Sequence, residues 1–200
     1  KPLSKHKNLS KDEKINLSLK QGRPVYGVDI KIENDEGKEL PRDGKSSGNL
    51  WIKGPWICSG YLNIKNSETH RKDGWFLTGD VANIDQDGYM QITDRVKDVI
   101  KSGGEWISTI EIENIVVGHD KINEAAVVGV KHAKWDERPL LLVVKNEDIT
   151  KEEIFDFLKD KIAKWWTPDD IVFLKSLPHT ATGKIKKIDL KSKFADYLIK

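Results

Sequence analysis

The sequence is short of several things, and each shortage removes a class of protein. It has one cysteine, Cys58, in 200 residues. An internal disulfide is therefore impossible, and a zinc cluster of several thiolates is excluded. The five histidines show no paired metal spacing, so His119 and His132 read as surface or loop residues and no metal site is expected. No apolar run approaches the roughly 20 residues needed to span a bilayer. The opening "KPLSKHKNLSKDEK" lacks the apolar core of a signal peptide, which points to the cytoplasm. An excess of one charge is missing too: 34 Lys and Arg against 32 Asp and Glu leave a formal net charge of +2. That balance gives no reason to expect a nucleic-acid partner, and any anion site must come from local arrangement. There is no internal repeat and no low-complexity segment.

What is present suffices for packed cores: 38% hydrophobic residues and seven tryptophans, in a length that allows one or two domains. Ser10 followed by Glu13 forms a capping box before a short helix without an amphipathic stripe. From 23 to 94 the pattern is mostly antiparallel β. Strands are expected at "YGVDIKIE" and "NLWIKGPWICSGYL", then a hairpin of "GDVANID" and "GYMQITD" whose turn chemistry comes from Asp87-Gly88. Beyond "DRVKDVIKSGGEWIS" the rhythm changes. Ser108 with Glu111 caps a helix that Gly118 can stop, and Thr150 with Glu153 caps another running to "KIAKW". Strands are expected at "EAAVVGV", "RPLLLVVK" and "DIVFLKSL", and a last helix over "IDLKSKFADYLI". The fold class is α+β: residues 1–94 supply a β-barrel-like segment, 95–98 a join, and 99–200 a small α+β domain.

Three stretches put polar chemistry at the exit of a β element. In "GWFLTGD", Asp80 follows an aromatic run and a Thr-Gly turn, where a carboxylate either caps the turn or accepts hydrogen bonds from vicinal hydroxyls. "DRVKDVIK" alternates Arg95, Lys97 and Lys101 with apolar residues, as a half-buried strand with solvated charges does. "LPHTATGKIKK" tips a loop with Lys184, followed by Lys186 and Lys187. A compact ammonium there suits the bridging of two anions, although a basic surface loop reads the same way. It is not a Walker motif, because the first glycine of GxxxxGK would fall at Pro178. "KSGGEWIS" reads as a bare turn before the helix at Ser108, with Trp106 as a core anchor.

In this order, "GWFLTGD", "ITDRVKDVIKSGGEWISTIEIE" and "LPHTATGKIKK" resemble the acyl-CoA synthetase, luciferase and peptide-synthetase adenylation superfamily. "QGRPVYGVDIKI", "GNLWIKGPWICSGY", "KSGGEWIS" and "KWWTPDDIVF" look like its medium- and long-chain fatty acyl-CoA ligase branch. The family's upstream phosphate loop and its Tyr-Gly-x-Thr-Glu stretch do not occur here. The resemblance therefore implies the end of a large N-terminal domain, a hinge and a complete C-terminal lid, and residues 1–200 alone should not form an acyl adenylate.

By resemblance, Asp80 matches the ribose-binding aspartate and Arg95 a nucleotide-contacting arginine. Lys97 stands at the hinge and Lys184 at the catalytic lysine of adenylation. Lys101 matches a lysine used in the second pose of some relatives. Gly104 falls where relatives keep a glycine lining a pantetheine tunnel, flanked by Lys101 and Trp106, with plain core as the other reading of Trp106. The implied cofactors are ATP or AMP, CoA, and Mg2+ whose ligand region lies outside this chain. The implied partners are a carboxylic acid, the N-terminal part of the same enzyme, and in the full-length parent a second copy as a homodimer. Two other readings share these residues: a non-catalytic module binding nucleotide, CoA or a partner, and an adenylation domain serving a carrier protein.

Overall fold

The computed structural model describes residues 3–64 and 68–199. It separates into two compact units, Lys1–Lys97 and Asp98–Lys200.

The first unit opens with a 3-10 turn, Ser4–Asn8, and helix α1, Lys11–Ser18. Ser10 begins α1 through a reciprocal capping box: its hydroxyl accepts the Glu13 N–H at 3.3 Å, and the Glu13 carboxylate accepts the Ser10 N–H at 2.8 Å. No α1 residue is buried, as the missing apolar stripe requires. Four antiparallel strands follow in spatial order: β1 Asp29–Glu33, β2 Gly48–Lys53, β3 Phe76–Ile84 and β4 Met90–Arg95. Ile30, Ile32, Leu50, Ala82 and Ile84 form the core on one face. The sheet is open, with β1 and β4 at its edges, so the barrel-like segment does not close among the described residues. β2 stops well short of the run read from the sequence. Gly54 takes a φ of 159° beside Pro55, whose missing N–H ends the ladder. At the β3–β4 turn Asp85 Oδ1 accepts the N–H groups of Asp87 and Tyr89, each at 2.9 Å, while Gly88 takes a φ of +79°.

The second unit contains β5 Ile100–Ser102, β6 Glu105–Ile107, α2 Thr109–Val117, β7 Ile122–His132 and β8 Asp136–Lys145. After them come α3 Lys151–Leu158, β9 Asp170–Phe173 and α4 Lys187–Phe194. The sheet order is β6-β5-β8-β7, with β9 added parallel to β8. Both faces are covered, which explains the unbroken apolar runs of β7 and β8. Ala125, Val127, Leu141, Val143 and Ile171 point to the side of α2 and α3. Ala126, Val128, Leu140 and Leu142 point to the side of α4.

Several boundaries move. "DRVKDVIK" is not one strand: β4 ends at Arg95 and β5 starts at Ile100. Val99 and Ile100 are both buried in succession, which the two-residue alternation of a half-exposed strand does not allow. α3 stops at Leu158, two residues before Asp160 enters the left-handed region at φ +64°. α4 stops at Phe194 and a 3-10 turn, Tyr197–Ile199, finishes the described chain. Gly118 ends α2 with a right-handed φ of −68°, so it stops the helix without a left-handed turn. No helix among the described residues is long and apolar enough to cross a membrane.

Candidate active site

In the first unit Asp80 lies within β3, not at a turn. A register shift between Val81 and Ala82 sets it directly opposite Arg95 on β4. Arg95 Nε lies 2.9 Å from Asp80 Oδ1 as an ion pair, with the carboxylate side chain 19% exposed and the guanidinium 57%. Gly79, at φ +82°, turns the backbone just before it, and the Asp80 N–H donates to Thr78 Oγ1 at 3.1 Å. The Arg95 N–H donates to the buried Asp94 carboxylate at 2.7 Å. The backbone of both partners is thus held, and one carboxylate and one guanidinium stand side by side at the surface. Lys97 follows as an exposed turn residue at the end of this unit.

In the second unit Gly103 and Gly104 are the two-residue turn of the β5–β6 hairpin, with φ of +57° and +89°. Two successive positive φ values are what a tight hairpin of this kind demands. The sequence suggested only a turn before a helix; the strands on either side are three residues each, too short to show a period. The two glycines differ. A Cβ on Gly103 would lie 2.8 Å from Trp135 Cε3, whereas a Cβ on Gly104 would meet nothing within 4 Å. Lys101 and Trp106 are cross-strand partners, with the ammonium 5.2 Å from the ring centroid. Trp106 is half-buried and belongs to no core cluster, so it is not the core anchor its residue type suggested.

Trp135 was invisible to motif reasoning, since nothing in "HAKWDERP" ties it to residues thirty positions earlier. The structure brings it under the hairpin: the Gly103 N–H donates to its carbonyl at 3.0 Å, and its ring is exposed. Arg138 is also new. It donates to Ser102 Oγ at 3.2 Å, to the carbonyls of Trp165 and Thr167 at 2.9 and 3.0 Å, and to Asp169 Oδ1 at 2.7 Å. It thereby fixes the exposed Trp165 to the strand that carries Lys101.

Lys184 lies in a loop closed on itself. The Lys184 carbonyl accepts the Thr180 N–H at 2.7 Å, its N–H donates to Thr180 Oγ1 at 3.1 Å, and Gly183 turns at φ +80°. The side chain is exposed and its ammonium has no partner among the described residues. At the loop base His179 meets Glu124 Oε1 of β7 at 2.9 Å. The glycine hairpin belongs to the other end of β7, where Ser102 pairs with Asp136 and Asp136 with His132. At roughly 3.3 Å per residue these two ends of β7 are about 25 Å apart. Lys184 and Lys101 are therefore not brought together.

His119 and His132 serve as acceptors in turns, taking the N–H groups of Lys121 at 3.2 Å and of Lys134 at 3.1 Å. Among the described residues no group of three or more His, Cys, Asp or Glu is placed to hold a metal ion.

Residues 4–62 match the AMP-binding enzyme family and residues 111–184 the AMP-binding enzyme C-terminal domain. The medium-chain-fatty-acid–CoA ligase of Ectopseudomonas oleovorans is 51% identical over 201 residues, covering 100% of this chain and 37% of that protein. The 3-methylmercaptopropionyl-CoA ligase of Ruegeria lacuscaerulensis is 52% identical over 199 residues, covering 98% and 37%. Among solved structures, o-succinylbenzoate CoA synthetase from Bacillus subtilis, in complex with its acyl-adenylate intermediate, superposes with a TM-score of 0.79 at 31% identity. That likeness covers 92% of this chain and 37% of that one. The chain spans a little over a third of the length of the relatives it matches. Lys184 is the last residue of the matched C-terminal domain, and through these two matched regions and its acyl-CoA ligase relatives the chain belongs to the AMP-binding enzyme family.

Proposed function

We propose that this chain carries the ribose-contacting strand pair and the C-terminal lid of a cytoplasmic, ATP-dependent carboxylate–CoA ligase. The observation that carries the reading is the unpaired, exposed Lys184 ammonium on an internally bonded loop. Such a charge is ready for an anion without first leaving a protein partner.

In the first step the substrate carboxylate oxygen bonds to the α-phosphorus of ATP and pyrophosphate leaves. Lys184 offsets the charge gathered there, a role suited to a compact ammonium. Asp80 accepts from the ribose hydroxyls while Arg95, beside it, contacts the nucleotide. In the second step the CoA thiolate attacks the acyl carbonyl and AMP leaves, giving the thioester. The hairpin end of the lid serves this step, with Gly104 leaving room for pantetheine and Lys101 beside Trp106 at its border. The exposed rings of Trp135 and Trp165 offer stacking surfaces to the CoA adenine. The separation of Lys184 from the hairpin along β7 supports their taking turns, with Lys97 as the hinge. A fatty or other small apolar acid is the proposed substrate class, by analogy with the named relatives.

The test is made in a protein of the relatives' full length that contains this chain. Acid-dependent AMP release should require CoA and yield one thioester per AMP. Retention of acid-dependent pyrophosphate exchange by Lys184→Ala would refute the role of that lysine.

A further inference from the structure

The start of α4 breaks the usual rules for a helix. Its N-cap is Lys186, which makes no side-chain cap, and its first residue is Lys187. Cations at this end oppose the helix dipole, and an uncapped start leaves N–H groups without side-chain acceptors. Local disagreement of this kind marks positions held by something other than local stability. Lys186 is offset simply, by Asp189 at 2.9 Å.

Lys187 is different. It is three residues from Lys184, yet its side chain is only 13% exposed. Its ammonium lies 2.7 Å from Glu113 Oε1 and donates to Thr109 Oγ1 at 2.7 Å. Both partners are on α2, where Thr109 is fully buried and the Glu113 side chain is 15% exposed. The same Glu113 oxygen accepts the Val127 N–H of β7 at 2.6 Å. This carboxylate thus covers an outer-edge N–H of the sheet and binds the lysine at once. Thr109 directly follows Ser108 and the β6 strand that carries Trp106. One largely covered ammonium therefore ties the loop of Lys184 to the helix that starts where the glycine hairpin ends.

The opposite foot of the loop is held by His179 on Glu124. Between the feet the loop is closed by its own hydrogen bonds, including the Lys186 N–H to the Pro178 carbonyl at 2.7 Å. Its shape is set internally, and its placement on the domain is set at the feet. Lys187 is the less exposed of the two attachments, 13% against 34% for His179.

We infer that Lys187, through Glu113 and Thr109, is a positioning residue that sets where Lys184 is presented. This rests on the proposed role of Lys184 in adenylation. Lys187 itself does not reach substrate, and its action is confined to the half-reaction that uses Lys184.

Two measurements test this. On the 200-residue chain, hydrogen exchange of the Gly183, Lys184 and Lys186 amides should speed up about tenfold or more in Lys187→Met, with β7–β8 ladder amides unchanged. Lys187→Arg should stay near wild type, and Glu113→Gln should behave like Lys187→Met if the latter folds poorly. Unchanged exchange in the loop overturns the tether. In the full-length protein Lys187→Met should lower acid-dependent pyrophosphate exchange about tenfold to a hundredfold, as small misplacements do. Thioester formation from supplied acyl-adenylate should stay within about threefold of wild type, far less than that misplacement cost. Equal loss in both half-reactions would mean a purely structural lysine and overturns the inference. If Lys184→Ala leaves pyrophosphate exchange intact, the reading of Lys184 fails, while the exchange rates still decide whether the tether exists.

Discussion

Asp80 and Arg95 face each other across the β3–β4 ladder, with Arg95 Nε 2.9 Å from Asp80 Oδ1, because the strands slip register between Val81 and Ala82. Without that slip the two residues would not be opposed. A surface pair of this kind contributes about 0–1 kcal/mol to stability, so its geometry matters more for what it binds. Arg95→Ala should leave the melting temperature nearly unchanged and weaken AMP binding about tenfold or more, the scale of one charge-assisted hydrogen bond. Calorimetric titration with AMP, beside a thermal melt, checks both halves of the statement.

The two hairpin glycines should separate under substitution. Gly103→Ala sets a Cβ 2.8 Å from the Trp135 ring as well as straining a positive φ, whereas Gly104→Ala strains only the backbone. We expect a loss of about 1 kcal/mol for Gly104→Ala and clearly more for Gly103→Ala, read from denaturant melts. Gly104→Leu should slow thioester formation and spare adenylation. Equal damage to both half-reactions would leave the glycine with a folding role alone.

Lys184→Ala removes a side chain without partners among the described residues, and its fold should melt as wild type does. Acid-dependent pyrophosphate exchange should fall about a hundredfold or more, the usual cost of a lost electrostatic stabiliser. Lys101→Ala should instead act on transfer to CoA. A quench assay that follows acyl-AMP and thioester separately distinguishes the two lysines.

The acid sensitivity of the first unit should centre on Glu33. Burial pushes its carboxyl up, but Arg71 and Lys31 outweigh burial and hold it below the ordinary glutamate value. Arg71 binds it through two contacts, at 2.9 and 2.6 Å, and stacks 3.8 Å over the Trp51 ring. A depressed carboxylate stabilises the fold above its unfolded-state value, near 4.3. That contribution is lost as the pH falls through the lower, folded value. Glu33→Gln should therefore lower stability at pH 7 by about 1–3 kcal/mol, and the gap to wild type should shrink steadily below about pH 4. Thermal melts from pH 7 to 3 give the curve, and a constant gap would exclude the ion pair as its source.

Much of the framework was legible because it is local. The Ser10–Glu13 and Thr150–Glu153 boxes close between residues three apart, and each begins the helix read from it. The apolar runs of β7 and β8 were legible because a sheet covered on both faces needs no polar face. What stayed hidden depends on partners far along the chain. The β5–β6 strands are too short for any period, β9 acquires its place only by pairing with β8, and Trp135 reaches the hairpin across a fold of the backbone.

For the candidate site, residue type and spacing left plain readings open, and the family resemblance singled out Asp80, Arg95, Lys101, Gly104 and Lys184 as the groups to follow. Tertiary structure decided their company. It opposed Asp80 to Arg95, moved Trp106 out of the core, and held Lys101 and Lys184 at different ends of β7. It also paired Lys187 with Glu113, where the sequence showed only one more lysine in a basic loop. A sequence by itself determines which chemical groups exist and which turns and caps close within a few residues. Which charges meet is decided by strand register and helix packing, because those contacts form between segments whose separation along the chain carries no short-range signal.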